Sequence, residues 1–213
     1  MLIELYHLLP EPLAGITDPN TQIWKQSVRF EMPKKYQLNA PSGRGKSTFI
    51  HIVYGLRQDF TGKLYINQQE VRTIQRAQWA KLRQSKISIV FQSLRLLPEL
   101  TAWQNLQVKQ LLLPRQDEKQ IREMILALGV EHLLDKKVAT LSYGERQRFA
   151  IIRALIQPFE LLLLDEPFSH LDEVNIQIAC ELITQKCKEN NAGLIMTSLG
   201  YPYYLTFDER LNL

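Results

Sequence analysis

Ala40-Pro41-Ser42-Gly43-Arg44-Gly45-Lys46-Ser47-Thr48 is the stretch whose reading decides the fold of this chain. It follows a short extended run, Tyr36-Gln37-Leu38-Asn39, and precedes Phe49-Ile50-His51-Ile52-Val53, whose pattern predicts a helix. A strand, a Gly-containing loop and a helix in that order form the setting in which G-x-x-x-x-G-K-S binds phosphate. Successive backbone N–H groups and the helix N-terminus turn donors and partial positive charge toward an anion. Lys46 is placed to reach the β- and γ-phosphates of a nucleotide, and the Ser47 hydroxyl to enter the shell of a Mg²⁺ ion. Ala40 stands where the pattern has its first Gly, while Gly43 and Gly45 keep the permissive backbone where the loop closes on phosphate. Pro41, Ser42, Gly43, Arg44, Gly45, Lys46, Ser47 and Thr48 are therefore the expected nucleotide contacts.

A second stretch completes that chemistry. Leu161-Leu162-Leu163-Leu164-Asp165-Glu166 belongs to a continuously apolar run, as a strand buried on both faces requires, and it ends in two carboxylates. Open α/β sheets place ligands at the carboxyl ends of their strands, so both acids emerge beside the phosphate loop. Asp165 is then a Mg²⁺ ligand, direct or through water, and Glu166 orients and deprotonates an attacking water. Upstream, Ser142 and Glu145 have the S-x-x-E spacing of a capping box, opening a helix that runs to about Ile156. A well-made helix start also accepts a phosphate, so capping and binding are compatible there.

The totals bound the rest. A chain of 213 residues, 45% hydrophobic and 23% charged, suits one or two globular domains with a sizeable core. Nothing approaches the ~20 apolar residues of a membrane span. The richest stretch, Phe149 to Leu164, is broken by Arg153, Pro158 and Glu160, and Glu4 with no basic region argues against a signal peptide. A cytosolic location is expected. Cys180 and Cys187 lie seven apart on one expected helix, ~10 Å between Cα atoms, too far for a disulfide, and are expected to be inert thiols. The net charge of +4 suits nucleic acid, anionic lipid, nucleotide or simply a solvated surface. The densest basic region, Arg72 through Lys86, has Trp79 as its one aromatic, so no nucleic-acid partner is expected.

In chain order, strands are predicted at Leu2–Leu9, Trp24–Met32, Lys63–Ile66 and a partly covered Lys86–Phe91, with residues 10–22 a loop and Asp59–Gly62 a turn. A short polar helix is predicted over 72–85. Residues 93–140 are Leu-rich and helical in pattern, with Asp117 capping a helix through Ile121, Met124, Ile125 and Leu128 that stops at Gly129. They read as a helical insert into an α/β core made of about 1–92 and 141–213. Val174–Lys188 reads as an amphipathic helix, Gly193–Thr197 as a strand, and Phe207–Leu213 as the last core segment.

Taken in order, Ala40–Ser47, Gln92, Leu141–Gln147, Leu161–Glu166 and Ser169-His170-Leu171-Asp172 resemble the ATP-binding subunits of ABC transporters over essentially the whole chain. The resemblance implies a P-loop NTPase core of RecA-like type, an inserted helical subdomain and an N-terminal antiparallel β part. It implies Mg²⁺-ATP as cofactor and a head-to-tail dimer, homomeric or heteromeric. In that dimer Lys46 and Ser47 of one subunit and Ser142, Gly144 and Glu145 of the other enclose one ATP. Gln92 would meet Mg²⁺ and the attacking water, and Asp172 would couple the two sites. An integral membrane permease would be a separate chain, with this subunit peripheral on the cytoplasmic face. Ser93 to Leu106 looks like the lipoprotein-releasing and macrolide-exporter branch, where this region meets a coupling helix of the membrane subunit; most of its Leu residues also suit packing of the insert.

Departures from the family pattern set the alternatives. Ser198 stands where the family has a His that contacts the γ-phosphate, and a neutral hydroxyl cannot replace an imidazole donor. Ser198 is accordingly counted with Glu166 and Gln92 in the catalytic set, with slowed hydrolysis expected. Tyr143 and Glu145 are milder departures in the 141–147 stretch. Tyr6 and Trp24 flank the 8–23 loop, and neither is assigned to adenine. A transport ATPase leads; the alternative is a hydrolysis-impaired partner or ATP-gated scaffold of a membrane complex. A soluble ATPase serving nucleic acid is disfavoured because the chain has neither a doubled domain nor long coiled coils.

Overall fold

Residue alternation along five short strands builds the wall on which everything else sits. The computed structural model describes residues 1–15, 20–112, 118–201 and 203–213. Five strands, β3 (Lys35–Asn39), β6 (Ile87–Val90), β7 (Leu161–Asp165), β8 (Gly193–Ser198) and β9 (Glu209–Asn212), pair in parallel in the order β6-β7-β8-β3-β9. Side chains alternate faces with period two. Leu161, Leu163, Ile195, Tyr36 and Leu38 point to one face and pack on α1 (Lys46–Val53). Leu162, Leu164, Leu194 and Met196 point to the other and meet α5 (Tyr143–Ile156) and α6 (Glu173–Glu189). The same alternation sends Asp165 and Thr197 toward α1 and Ser198 to the opposite face.

An antiparallel sheet covers the α1 side. Its order is β2-β1-β4-β5, from β1 (Leu2–Pro10), β2 (Ser27–Glu31), β4 (Phe60–Ile66) and β5 (Gln69–Glu70). Trp24 is thus outside the strand predicted from Trp24 to Met32: it lies in a turn and is buried at 6% exposure beneath the phosphate loop. Asp59–Gly62 is a second correction. Phe60, Thr61 and Gly62 are strand, not turn, and Gly62 has φ +78° at the register shift between Tyr6 and Leu9. A Cβ on Gly62 would lie 2.4 Å from the His7 carbonyl oxygen, so the residue marks a bulge where two backbones touch.

Other differences are of extent. The helix after the loop starts at Lys46, not Phe49. The polar helix α2 spans Arg76–Ser85, preceded by a 3₁₀ turn at Val71–Thr73. β6 is buried at all four positions rather than partly covered; Ser88 is accommodated because its hydroxyl donates to the Ala154 carbonyl at 2.6 Å. Residues 93–140 contain α3 (Ala102–Gln110), α4 (Glu118–Ala127) and 3₁₀ turns, whose Leu106, Ile121, Met124 and Ile125 join the core that Phe149 and Ile152 of α5 occupy. Asp117, expected to cap α4, lies outside the described residues. Cys180 and Cys187 are free and buried, and burial pushes their thiols up to about 12 and about 11. No described helix is long and apolar enough to cross a membrane.

Gly193 opens β8 against the turn that precedes β3. A Cβ there would sit 2.3 Å from both the Lys34 carbonyl oxygen and the Met32 sulfur. Gly193→Ala is expected to cost about 2 kcal/mol and lower Tm by roughly 4–8 °C, read by thermal unfolding of the purified chain.

Candidate functional site

The phosphate loop spans the carboxyl end of β3 and the first turn of α1, with Gly43 at φ +77° and Gly45 at φ +94°. Gly45 has no room for a side chain: a Cβ would meet Leu13 Cδ1 at 2.6 Å and Trp24 Cζ2 at 3.1 Å. The Trp24 indole N–H donates to the Arg44 carbonyl at 3.4 Å, so this ring supports the loop from below. Buried there, and edge-on to Phe49, Trp24 has no free face for adenine. Tyr6 is engaged elsewhere, edge-on to Tyr65 and donating to Glu4.

Four side chains interlock over the loop. Lys46 Nζ donates to the carbonyls of Ala40 (2.7 Å) and Pro41 (3.0 Å) and pairs with Glu166 Oε1 at 3.1 Å. Ser47 Oγ donates to Gln92 Oε1 at 3.2 Å, and Gln92 Nε2 donates to Glu166 Oε2 at 3.2 Å. Glu166 itself is left-handed at φ +47°, a conformation that costs free energy in a non-glycine residue and is concentrated at functional sites. With Pro12 and Leu13 facing Gln92 and Glu166 across the loop, the group bounds a cleft of about 330 Å³.

Asp165 lies beneath, on the α1 face of the sheet. Thr197 Oγ1 donates to its Oδ1 at 2.9 Å, while its buried Oδ2 has no hydrogen-bond partner among the described residues. Burial raises the pKa of the Asp165 carboxyl, opposed by the nearby Ser47 hydroxyl and by the Thr197 hydrogen bond. An orphaned carboxylate oxygen beside the Ser47 hydroxyl and the Gln92 carbonyl is an all-oxygen donor set that suits a small hard divalent cation. Without the cation the ionised carboxyl is a liability. Because its folded-state pKa lies above its unfolded one, its contribution favours folding at low pH and is lost as pH rises through the raised value. Asp165→Asn is therefore expected to raise the Tm of the nucleotide-free chain at pH 7, a gain that shrinks as pH falls. Thermal unfolding across pH checks this, and a lower Tm at pH 7 would overturn it.

The remaining expected residues are gathered elsewhere. Ser142 and Glu145 form the capping box: Ser142 Oγ accepts from Glu145 N at 3.3 Å and Ser142 N donates to Glu145 Oε2 at 2.7 Å. Glu145, held below the usual carboxylate range by that backbone hydrogen bond, is committed to its own helix start rather than turned outward to a nucleotide. Gly144 abuts the His170 carbonyl, which a Cβ would approach to 2.8 Å, and the Tyr143 and His170 rings are 4.1 Å apart. Gln147 locks the same contact, donating to the Pro167 carbonyl at 2.6 Å and accepting from His170 N at 3.1 Å. Asp172 caps α6, accepting from Asn175 N at 2.9 Å. Ser142, Gly144, Glu145 and Asp172 line no part of the cleft around Lys46.

Ser198 lies apart from Glu166 and Gln92. It is 1% exposed, on the sheet face away from α1, donating to Asn39 Oδ1 at 2.8 Å and accepting from Gln37 Nε2 and Gly200 N at 3.0 Å each. The hydroxyl is engaged in this buried network and does not line the cleft around Lys46. Thr197, its neighbour in sequence, does reach the site; its parallel pairing opposite Asp165 was the overlooked signal. Pro12 and Leu13 were hidden inside a stretch that reads only as loop.

Against known proteins, the ABC transporter family model matches residues 25–169, more than half of the chain. The chain belongs to that family. Among curated relatives, the lipoprotein-releasing system ATP-binding protein LolD of Nitrobacter hamburgensis is 34% identical over 179 residues, 83% of this chain and 77% of LolD. The LolD of Idiomarina loihiensis is 32% identical over 160 residues, 74% of this chain and 70% of its own. The solved dimeric cassette MJ0796 superposes with a TM-score of 0.79 at 24% identity over 92% of this chain and 88% of its own. A putative ABC transporter ATP-binding protein of Pyrococcus furiosus gives 0.76 at 20% identity, covering 100% and 98%. As an ABC ATPase, the chain supplies the ATP-binding, ATP-hydrolysing part of a transporter. Its fold is that of the family cassettes, with a mixed α/β architecture of parallel and antiparallel sheets.

Proposed function

We propose that the cleft binds Mg²⁺-ATP, that two such subunits close head to tail around it, and that closure and hydrolysis drive a separate integral membrane permease of the lipoprotein-release type from the cytoplasmic face. One observation carries the reading: Lys46, Ser47, Gln92 and Glu166 interlock over the loop in a chain about a third identical to LolD proteins. Lys46 would leave Glu166 for the γ-phosphate. Ser47, Gln92 and Asp165 would hold Mg²⁺, which screens the phosphate charge, and Glu166, released, would take the proton of the attacking water. Ser142 and Gly144 would approach the nucleotide from the second subunit, with Asp172 at the same interface. Core residues 1–92 and 141–213 with an insert at 93–140 would be the moving bodies. The test is steady-state hydrolysis by the purified chain with Mg²⁺, alongside ATP binding and sizing with and without ATP. ATP binding without any turnover, alone and with a membrane partner, would overturn the motor reading.

Ser198 favours a second reading, a weakly hydrolysing subunit, because among the described residues no His borders the cleft. Restoring the family residue is not expected to restore speed. Ser198→His would place an imidazole in a fully buried site and break its hydrogen bonds to Gln37 and Asn39, so a loss of about 2–4 kcal/mol and no gain in turnover are expected. Parallel ATPase and thermal-unfolding measurements read both, and a faster, equally stable variant would sink the expectation.

A further inference from the structure

Leu94 and Arg95, immediately beyond Gln92, are consecutive left-handed residues at φ +60° and +48°. Neither is glycine, and L side chains resist that conformation. Local backbone bonds, Leu94 N to Phe91 O (2.9 Å) and Arg95 N to Ser93 O (2.7 Å), shape the bend. Their carbonyls have an outside holder. Arg153 of α5 donates from Nη2 to the Leu94 carbonyl at 2.6 Å and from Nη1 to the Arg95 carbonyl at 2.7 Å. A guanidinium presents two N–H groups as a rigid fork, matched to two neighbouring oxygens. The other end of the segment is held by α5 as well, since the Tyr143 hydroxyl donates to the Gln92 carbonyl at 2.6 Å. Between these two anchors the Gln92 side chain bridges Ser47 and Glu166.

We infer that Arg153 is a positioning residue for hydrolysis: by clamping Leu94 and Arg95 in their left-handed bend it fixes Gln92 at the cleft. The inference rests on the reading of Gln92 as the group that meets Mg²⁺ and the attacking water. Arg153 does not line the cleft around Lys46, so the phosphate contacts of the loop and of Lys46 do not pass through the clamp, which acts on the nucleotide only by way of Gln92. Arg153 borders a groove of about 250 Å³ lined also by Tyr54, Lys109 and Leu112.

The experiment compares the full chain with Arg153→Ala and with Arg153→Ala/Arg95→Gly. Arg153→Ala should lower kcat by about 10–100-fold, with KM and ATP affinity changed less than about threefold, as misplacement of one catalytic group does. The added glycine, which adopts the left-handed bend unaided, should recover most of that loss, and methylguanidinium at non-denaturing concentration should recover part of it. Amide exchange at Leu94 and Arg95 should quicken at least about tenfold in Arg153→Ala, whatever the turnover of the parent. Arg153→Gln, which keeps one amide donor, serves the same comparison if the Ala variant does not fold. A kcat within twofold of the parent, unchanged exchange, or a loss that neither glycine nor methylguanidinium relieves would overturn the clamp. A parent that neither binds nor hydrolyses ATP would overturn the site reading instead, leaving the exchange result to judge the clamp.

Discussion

Glu166→Gln is expected to lower ATP hydrolysis by about 10²–10⁴-fold while ATP still binds, the range a lost general base accounts for. The amide keeps the shape of the carboxylate and can still bond Gln92, but it cannot take a proton. Lys46 loses its ion pair and keeps its bonds to the Ala40 and Pro41 carbonyls, so the loop stays formed. Removing a negative charge beside the γ-phosphate should leave affinity equal or tighter, and ATP-bound dimer should accumulate on sizing. The decisive comparison is single-turnover hydrolysis beside equilibrium binding. Turnover within tenfold of the parent would assign the base elsewhere.

Lys46→Ala is expected to weaken ATP binding at least about 100-fold, which at 1.4 kcal/mol per tenfold is about 3 kcal/mol, the strength of charge-assisted bonds to phosphate. Lys46 is 5% exposed and lies at the N-terminus of α1 with Glu166 as its ion-pair partner. Its loss removes the one lysine that borders the cleft among the described residues and leaves the Glu166 carboxylate facing the incoming phosphates. A Lys46→Ala/Glu166→Gln double variant should therefore recover part of the lost affinity, because the repulsion goes with the charge. Titration calorimetry with ATP and Mg²⁺ reads all three proteins. Affinity within threefold of the parent in Lys46→Ala would refute the assignment of this lysine to phosphate.

What was legible in the chain followed from local rules. Residues 40–48 carry their own conformational demands, and Leu161–Asp165 could be read because a strand covered on both faces has no polar alternation to keep. The capping box at Ser142 and Glu145 is four residues long and needs no tertiary partner. Failures share the opposite property. Gly62 reads as a turn residue until the His7 backbone is brought against it, and Trp24 reads as strand until Gly45 is packed over its ring. The side of the sheet on which Ser198 lies is likewise not legible from the order of motifs, because sheet parity depends on where β8 begins and what it pairs with. The Lys46–Glu166 pair joins residues far apart in sequence whose meeting depends on the parallel order of β3, β8 and β7.

The contact of Gly144 with the His170 carbonyl, with Gln147 bonded on both sides of it, has a mechanical meaning. The start of α5 and the turn from Pro167 to Asp172 cannot slide past each other without breaking backbone contacts, so they travel as one die. That turn is the direct continuation of Glu166. A change of state at the Glu166 carboxylate would therefore be carried to the surface that holds Ser142 and Asp172. A side chain at Gly144 would put play into that linkage.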